Sequence, residues 1–285
     1  MQNFKYKLDK SSKKFKCPGC LKKTFVRFID IEGSYASDSM GRCDREVNCG
    51  YFVKPDNPGG QFVQIIKIPE KPISYIPNAD IIPTLKDYQL NPFACWLVRL
   101  FGERKAQELI IKYRFGLDDG LNTKDWTIFW QFDFQNRVRS GKLIKYKSDG
   151  RRDKESAATW FHKRVRNNVP TYPDFNLKQC LFGEHLINTS NKPIAIVESE
   201  KTAIIASIYI DKYLWLACGG KSELRAEKVN VLKNRSVTLF PDLGAYEDWA
   251  IKAEDFGFNI SGELEKIASD QDRFKGLDLA DYLLK

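Results

Sequence analysis

Residues 193–201 read PIAIVESEK, an apolar run that ends at the carboxylate of Glu198. Two further apolar runs follow at residues 213–217 and 236–240, and the last of these leads to Asp242. Short apolar runs that are bounded by turn residues and alternate with helix-like segments predict buried parallel strands in βαβ units. Ligands of open α/β sheets bind beyond the carboxyl ends of the strands, so two acids at that edge predict a divalent-metal site.

The order of these parts resembles a known domain. An apolar strand ending in Glu, a helix, a strand ending in Gly and an apolar strand ending in Asp resemble the toprim domain of bacterial-type primases, topoisomerases and some nucleases. The resemblance implies an α/β fold with a Rossmann-like parallel sheet over residues 191–285. It also implies that Glu198 and Asp242 are catalytic and hold Mg²⁺ or Mn²⁺. The second Asp of the family motif falls at Gly244. Glu247 and Asp248 follow shortly after, and we expect Asp248 to compensate as a metal ligand.

Further charged residues flank the predicted metal site. Glu200 lies in the first turn of the predicted helix and is expected to point outward, where acids favour the helix dipole. Lys201 is expected to pair with Glu198, to reach a phosphate, or to remain an exposed helix cation. Lys221 follows two glycines and is expected to contact phosphate at a helix N-terminus. Asp278 and Asp281 are candidates for distal metal ligands, and Asp278 is equally a candidate for a helix cap.

Four of the seven cysteines cluster near the N-terminus: Cys17, Cys20, Cys43 and Cys49. Two thiolate pairs separated by about twenty residues complete a tetrahedral site, and the alternating segment 24–29 predicts a β-ribbon between them. We therefore predict a structural Zn²⁺ ribbon over residues 1–58. Free thiols, or a disulfide pair in an oxidising compartment, are the alternatives. The remaining cysteines lie in apolar surroundings and are interpreted as buried small hydrophobic side chains, namely Cys95, Cys180 and Cys218.

Residues 59–120 are predicted to form a Pro-rich linker followed by a helical hairpin. Seven prolines between positions 55 and 92 exclude long helices there, although residues 62–68 have the composition of one strand. Asn91 and Pro92 predict the N-cap and the first residue of a helix. A second amphipathic helix follows, and we assign the hairpin no chemistry.

Residues 121–190 are predicted to form a mixed α+β subdomain with a basic surface. Residues 127–133 and 142–146 have the composition of two strands, joined by a turn near Asn136. The following basic residues interleave with Trp160 and other aromatics, which suits a single-stranded nucleic-acid groove where bases stack and phosphates pair. The alternative is a hairpin with a solvated charged face. Lys201 and Lys221 of the toprim-like region join these residues as candidates. The full set of candidate nucleic-acid and nucleotide contacts is Arg137, Arg139, Lys142, Lys145, Arg151, Arg152, Lys201 and Lys221.

The composition favours a folded protein with a polyanionic partner. The chain has 285 residues, 42% of them hydrophobic and 13% aromatic, and a formal net charge of +9. This hydrophobic content argues against intrinsic disorder, and the positive charge suits nucleic acid. No apolar run approaches the roughly 18 to 20 residues of a membrane span, and the N-terminus lacks an apolar signal segment. We expect a cytoplasmic protein without membrane association.

The whole order of parts resembles the catalytic core of bacterial replicative primases. A zinc ribbon comes first, then a strand pair carrying Gly141-Lys142 and Tyr146, then a Leu-Phe-Gly segment at residues 181–183, then the toprim strands. The resemblance implies a primase-like nucleotidyltransferase that binds single-stranded DNA and nucleoside triphosphates and makes short primers. Such proteins are typical of phages, plasmids and other mobile elements. Because the sequence has no P-loop motif, we expect any helicase partner to be a separate protein.

Two alternatives remain open. Gly244 in place of the second Asp favours a non-catalytic nucleic-acid-binding protein that keeps the toprim fold. A toprim nuclease would use the same acids without a need for nucleoside triphosphates. The zinc ribbon and the order of parts favour a primase over a nuclease.

Overall fold

The structure, a computed structural model, describes residues 5–45, 48–55, 71–120, 122–166 and 169–285. The chain divides into two compact units, Met1–Lys71 and Pro72–Lys285. The boundary predicted near residue 58 and the strand predicted at residues 62–68 lie outside the described residues. Within the described ranges, no helix has the length and apolar character needed to cross a membrane.

The first unit is a small antiparallel β-structure. Its strands are β1 (Lys7–Leu8), β2 (Phe15–Lys16), β3 (Lys23–Ile29), β4 (Gly41–Cys43) and β5 (Phe52–Val53). Strand β3 pairs with β1, β2 and β4, and β5 pairs with β4. Strand β3 covers the segment whose alternating pattern predicts a strand, so the β-ribbon between the two cysteine pairs is confirmed.

Close packing around Phe25 fixes the register of β3 and β4. The Phe25 side chain is fully buried and lies opposite Cys43. The Tyr51 ring contacts it edge-on, with 5.5 Å between ring centroids. A Cβ atom on Gly41 would collide with the carbonyl oxygen of Val26 and with the Phe25 ring. Only glycine therefore fits at position 41, and the strands are held together beside the cysteines.

The four cysteines predicted as zinc ligands converge. The sulfur atoms of Cys17, Cys20, Cys43 and Cys49 all lie within 4.8 Å of one another. The Sγ–Sγ distance is 3.6 Å between Cys17 and Cys49 and 3.9 Å between Cys20 and Cys43. All four are free thiols, so the disulfide alternative is not observed. Tetrahedral Zn–S bonds of about 2.3 Å place sulfur atoms about 3.8 Å apart, so the cluster fits one Zn²⁺ ion.

The thiols of this cluster cannot all ionise without a cation. Hydrogen bonding, first of all from the backbone N–H of Lys22, lowers the pKa of Cys20 to about 6. Burial raises the pKa of Cys17, and burial together with the neighbouring thiols raises the pKa of Cys49 to about 12. A bound Zn²⁺ supplies the positive charge that allows four thiolates to coexist in so small a space.

We predict that the purified protein holds one Zn²⁺ per chain and that Cys43→Ser loses it. Because three thiolates leave the tetrahedron incomplete, we expect zinc affinity to fall by roughly 100-fold or more. The measurement is zinc content by mass spectrometry after dialysis against a competing chelator. Cys95→Ser is the control, because the Cys95 thiol lies in the second unit and donates to the carbonyl oxygens of Tyr88 and Gln89. A Cys43→Ser protein with a full complement of zinc would contradict the assignment.

The second unit begins with short helices and an antiparallel sheet. Its first elements are α1 (Asn78–Ile81), α2 (Pro92–Phe101), α3 (Glu103–Tyr113), β6 (Gly116–Asp118), β7 (Trp126–Phe132), β8 (Val138–Ile144) and β9 (Thr159–Trp160), followed by a separate pair, β10 (Val165–Arg166) with β11 (Val169–Pro170). The sheet has the order β6-β7-β8-β9 with antiparallel neighbours. Asn136 adopts a left-handed conformation between β7 and β8, where the turn is predicted.

Residues 72–90 belong to this unit and are not a linker. Ile76 forms a bridge with Val138, and both Ile76 and Ile81 are buried beside the antiparallel sheet. The prolines exclude a long helix, but the chain still forms the short helical turns observed there. The prediction of a linker is wrong for these residues because the burial of their apolar side chains, which proline spacing does not report, fixes them on the sheet.

Helices α2 and α3 are the predicted helical hairpin. The Asn91 side chain accepts hydrogen bonds from the backbone N–H groups of Phe93 and Ala94, and Pro92 is the first helical residue. Gly102, with φ of 79°, separates the two helices. The hairpin and its N-cap are therefore confirmed.

The remaining chain builds a four-stranded parallel sheet. Its elements are β12 (Ile194–Val197), α4 (Glu200–Tyr209), β13 (Leu214–Ala217), α5 (Ala226–Val229), β14 (Val237–Leu239), α6 (Tyr246–Phe256), β15 (Asn259–Ile260), α7 (Glu263–Ile267), α8 (Asp270–Lys275) and α9 (Leu279–Leu283). The strand order is β13-β12-β14-β15, and every neighbouring pair is parallel. Each of the three apolar runs in the sequence forms one of these strands.

One hydrophobic core joins the two sheets of the second unit. It contains Phe129 and Tyr146 beside Val197 and Trp215 of the parallel sheet. Tyr113 lies at the junction, fully buried, and its hydroxyl donates to the carbonyl oxygen of Trp215 at 3.1 Å. Because the core is continuous and close-packed, strand β8 and the loop after it keep a fixed position relative to the edge of the parallel sheet.

Candidate active site

Glu198 lies where β12 ends and α4 begins. The Ser199 side chain accepts a hydrogen bond from the backbone N–H of Thr202 and caps the helix, so the chain turns directly after Glu198. The backbone N–H of Gly219 donates to the Glu198 carbonyl oxygen at 2.9 Å and extends the strand pairing to this point. Glu198 is buried, and its Oε1 atom has no hydrogen-bond partner in the described part of the chain.

Asp242 reaches the same edge from the neighbouring strand, β14. The backbone N–H of Phe240 donates to the carbonyl oxygen of Ile196 at 2.8 Å, so the pairing of β14 with β12 continues almost to Asp242. The Oδ1 atom of Asp242 is buried and, like Oε1 of Glu198, finds no hydrogen-bond partner among the residues described. The structure thus brings the two predicted acids together.

Two more carboxylates come from the start of α9. The Asp278 side chain accepts a hydrogen bond from the backbone N–H of Asp281 and caps the helix, and the Asp281 side chain accepts one from the N–H of Asp278. Thr202 Oγ1 donates to Asp278 Oδ2 at 2.6 Å and holds this cap against α4. Asp278 is therefore a helix cap that also lies at the site. We call Glu198, Asp242, Asp278 and Asp281 the acidic cluster.

The members of the acidic cluster act on one another's charge. Burial, together with the charges of Glu198, Asp278 and Asp281, raises the pKa of Asp242 to about 9. Burial also raises the pKa of Glu198 and of Asp278. Buried carboxylates of like charge with unpaired oxygens are destabilised when ionised. Such a cluster therefore gains free energy when it binds a cation.

The donor atoms of the cluster suit Mg²⁺ or Mn²⁺, which prefer carboxylate, water and phosphate oxygens. Among the described residues, the four cysteines are the one group of three or more candidate ligands whose donor atoms all lie within 4.8 Å. In the observed arrangement, no more than two carboxylates of the acidic cluster would contact one ion directly. This fits Mg²⁺, which commonly takes one or two carboxylates and leaves the remaining positions to water and phosphate.

Asp248, expected to compensate for Gly244, is not brought together with the other acids. Its carboxylate is largely exposed and pairs with Lys221 at 3.0 Å. Lys221 also donates to the carbonyl oxygen of Gly244 at 2.8 Å. Gly244 has φ of 82°, a conformation that an aspartate adopts only with strain. The turn at Gly244 leads into α6, whose first turn carries Asp248 at the surface.

Glu200 is buried, and the prediction that it points outward is wrong. Its carboxylate accepts a hydrogen bond from Lys142 Nζ at 3.1 Å. Lys142 Nζ also donates to the carbonyl oxygen of Gly219 at 2.8 Å. Lys142 comes from β8 of the other sheet, so this neutralising partner cannot be seen in the sequence of the helix. The contact joins β8 of the antiparallel sheet to the start of α4.

Lys201 does not pair with Glu198. Its Nζ atom lies 5.2 Å from the centroid of the Trp96 ring and donates to the carbonyl oxygen of Gly150 at 3.4 Å. The charge of Lys201 nevertheless acts on Asp278, whose pKa it lowers against the larger effect of burial. Lys201 thus lies between the acidic cluster and the loop that contains Gly150.

Arg137 and Arg139 bind one buried carboxylate. Arg139 Nε and Arg137 Nη2 lie 2.9 and 3.1 Å from Asp133 Oδ2. Both guanidinium groups also lie over the Tyr75 ring, at 5.2 and 4.4 Å from its centroid. These contacts give the two arginines a structural role at the turn between β7 and β8.

The other predicted contacts lie along the chain after β8. Lys145 pairs with Asp153 at 3.4 Å, and Arg151 lies 3.9 Å from the Asp149 carboxylate. Arg152 is exposed and forms no ion pair with any carboxylate that the structure describes. Most of the predicted basic contacts thus pair with a carboxylate of the described structure, and Arg152 does not.

Sequence reasoning missed two residues of this site. Thr202 lies in the first turn of α4, but its partner at the site, Asp278, is distant in the sequence, so no local signal was present. Trp96 has no such signal, because its partners Gly150 and Lys201 are distant in the sequence.

We predict that Asp242→Asn stabilises the metal-free second unit and that the gain grows with pH. The pKa of Asp242 is about 9 in the folded chain, against a usual value of 3.8. The folded state therefore holds an extra proton between these values, and stability is lost as pH rises from about 4 towards 9. We expect the advantage of the variant to grow by about 1 to 4 kcal/mol between pH 5 and pH 8.

Urea unfolding followed by tryptophan fluorescence measures this difference. All six tryptophans lie in the second unit, namely Trp96, Trp126, Trp130, Trp160, Trp215 and Trp249. The control is Asp248→Asn, an exposed acid whose change is expected to stay within about 0.5 kcal/mol. A gain in the free energy of unfolding of Asp242→Asn that is the same at pH 5 and pH 8 would contradict the claim that the Asp242 carboxylate is destabilised.

Comparison with known proteins gives matches at the levels of family and fold. No curated protein matches the chain. Residues 4–62 match a family described as a zinc beta-ribbon finger, in agreement with the four-cysteine cluster. One matching solved structure is the primase fragment of the bacteriophage T7 primase-helicase protein, with 15% identity, 60% of this chain and 70% of that chain covered, and a TM-score of 0.37.

A second match is the RNA polymerase domain of Mycobacterium tuberculosis primase DnaG, with 14% identity, 73% of this chain and 77% of that chain covered, and a TM-score of 0.47. A third comprises the zinc-binding and RNA polymerase domains of the Aquifex aeolicus primase, with 13% identity, 87% of this chain and 70% of that chain covered, and a TM-score of 0.38. The family model described as a domain of unknown function, DUF6371, matches residues 91–243, which is more than half of the chain, and the chain therefore belongs to this family.

Proposed function

We propose that the protein is a primase-like nucleotidyltransferase that binds single-stranded DNA and makes short primers with a divalent metal. The observation that carries the proposal is the pair of carboxylates, Glu198 and Asp242, at the carboxyl ends of adjacent parallel strands, each with a buried oxygen that has no hydrogen-bond partner among the described residues. The toprim resemblance assigns metal-dependent chemistry to these two positions. The order of zinc ribbon, mixed subdomain and parallel sheet favours a primase over a nuclease.

The residues of the site would have different roles in such a reaction. Glu198 and Asp242 would hold Mg²⁺ or Mn²⁺, with Asp278 as the nearest further carboxylate. When bound, the ion neutralises the charge that develops on phosphate oxygens during transfer. Lys221 is half-exposed, and its charge acts on Glu198, so it is available to a phosphate of an incoming nucleotide. The buried pair of Lys142 and Glu200 fixes strand β8 against the edge of the parallel sheet.

The proposed partners follow from this activity. Single-stranded DNA is the template and nucleoside triphosphates are the substrates, and the formal charge of +9 supports a polyanionic partner. A separate helicase and an origin in a phage, plasmid or other mobile element belong to the same proposal, on the resemblance of the sequence to such primases.

A non-catalytic nucleic-acid-binding protein is the second candidate, and Gly244 favours it. A glycine in the left-handed conformation stands where the motif has its second Asp, and its carbonyl oxygen binds Lys221. Asp278 favours the catalytic proposal, because it brings a further, partly buried carboxylate to the site from another element. The two candidates differ in whether the cluster supports synthesis.

We predict that the wild-type protein makes primers on single-stranded templates with Mg²⁺ or Mn²⁺ and that Glu198→Gln and Asp242→Asn each reduce the rate by about 100-fold or more. Each variant removes a carboxylate charge that would hold the ion, and the electrostatic stabilisation of the transferred phosphate is lost with it. The measurement is incorporation of labelled ribonucleotides and deoxynucleotides into short products.

Asp248→Asn serves as the matched control, because it removes one carboxylate that lies outside the acidic cluster, and we expect it to retain most of the activity. A wild-type protein that makes no product yet still binds single-stranded DNA would favour the binding protein. Metal-dependent cleavage of DNA without any need for nucleotides would instead favour a nuclease.

A further inference from the structure

The chain after β8 forms an exposed loop that packs directly on Trp96. We call residues 147–154 the basic loop. A Cβ atom on Gly150 would collide with the indole ring of Trp96, so the loop backbone lies against the face of the ring. Gly150 has φ of 78°, which side chains rarely tolerate. Both the conformation and the close approach therefore require glycine at this position.

Two side chains from different helices complete the attachment of the basic loop. Lys201 of α4 lies over the Trp96 ring and donates to the carbonyl oxygen of Gly150. Arg99 of α2, one turn after Trp96, donates to the carbonyl oxygen of Ser148. The loop is thus held at two of its backbone carbonyls as well as at the ring face.

The basic loop lies beside the acidic cluster. Tyr146, the residue just before the loop, is buried and forms a bridge with Arg152. The Lys201 ammonium group contacts the loop, and the next residue of α4, Thr202, donates to Asp278 Oδ2 at 2.6 Å. The same turn of α4 therefore contacts both the loop and the acidic cluster.

The basic loop presents cations that lack an acidic partner. Lys147, Arg152 and Lys154 are exposed and form no ion pair with a carboxylate in the described part of the chain. The buried acid of the loop, Asp153, pairs with Lys145. An ordered loop with unpaired cations binds a polyanion more favourably than a mobile one, because little conformational entropy is lost on binding.

We propose that Trp96 is a positioning residue that holds the basic loop, through Gly150 and Lys201, so that its cations bind the phosphates of a single-stranded nucleic acid beside the acidic cluster. This inference rests on the proposed function and deepens it by naming the surface that takes the strand. Cations spaced along a loop match the successive phosphates of a backbone, and phosphate contacts position a strand without reading its sequence.

Gly150→Ala tests the attachment without changing any charge. The methyl group displaces the loop from Trp96, and we expect affinity for a fluorescent oligodeoxythymidine to fall by about ten-fold and the salt dependence of binding to weaken by about one phosphate contact. Binding is measured by anisotropy over a range of salt concentrations, with the full chain and without nucleotide. The matched control is Gly257→Ala, which also has a positive φ, of 68°, but open space around the added methyl group.

A charge series tests the strand contact itself. Arg152→Gln with Lys154→Gln is expected to lower the slope of log affinity against log salt by about 1.4, for two lost phosphate contacts. Lys212→Gln with Lys233→Gln is the control. It removes the same charge from exposed positions just before β13 and β14, at the amino ends of the strands. Trp96→Phe is expected to keep more of the wild-type slope than Trp96→Leu, because it retains an aromatic face for the loop and for Lys201.

Three results would overturn the inference. One is a folded Gly150→Ala protein with wild-type affinity and slope; another is an equal loss in the Lys212 and Lys233 control pair. The third is competition by inorganic triphosphate as strong as that by the strand, which would assign the loop to a nucleotide instead. Loop-dependent strand binding in a protein that makes no primers would contradict the proposed synthesis alone and leave this inference standing.

Discussion

Two carboxylates that repel each other follow adjacent strands at the carboxyl ends of one parallel sheet, and the rest of the site is arranged around this unfavourable pair. Glu198 and Asp242 follow adjacent strands, so the topology of the sheet itself brings them together. Each keeps an oxygen without a hydrogen-bond partner in the described structure. Burying charge in this way costs free energy unless an opposite charge compensates it. The arrangement therefore supports the proposal that a cation binds there.

The lysines around this pair form their ion pairs with other acids. Lys142 from the antiparallel sheet neutralises Glu200, which is next but one to Glu198 in sequence. Thr202 and the helix cap at Asp278 then bring a further carboxylate to the cluster. The first unit follows the same physical rule with different ligands, because its four thiols can ionise together only around a cation. Soft sulfur ligands suit zinc, and hard oxygen ligands suit magnesium or manganese.

The parts of this structure that the sequence predicts well depend on local patterns. Three apolar runs become three parallel strands, and Asn91 followed by Pro92 starts a helix, because each signal lies within a few residues. The spacing of the cysteines likewise predicts a cluster that the fold then forms.

The errors arise where a distant partner decides the outcome. Glu200 is expected at the surface, but Lys142 of another sheet makes its burial possible. Residues 72–90 look like a linker until Ile76 and Ile81 find a buried site on the antiparallel sheet. Lys201 is expected near Glu198, but it contacts Trp96 and Gly150, which are also distant in the sequence. Such pairings depend on the tertiary fold, which local propensity and charge patterns do not contain.

The most direct test of the central claim is the anomalous scattering of manganese in crystals soaked with Mn²⁺. The account predicts an anomalous peak within coordination distance of the carboxylates of Glu198 and Asp242, and loss of that peak in Asp242→Asn crystals. Zinc at the four cysteines provides an internal positive control for the same data. A soaked crystal that shows the zinc peak but no manganese at the acidic cluster would contradict the claim that these buried carboxylates form a cation site.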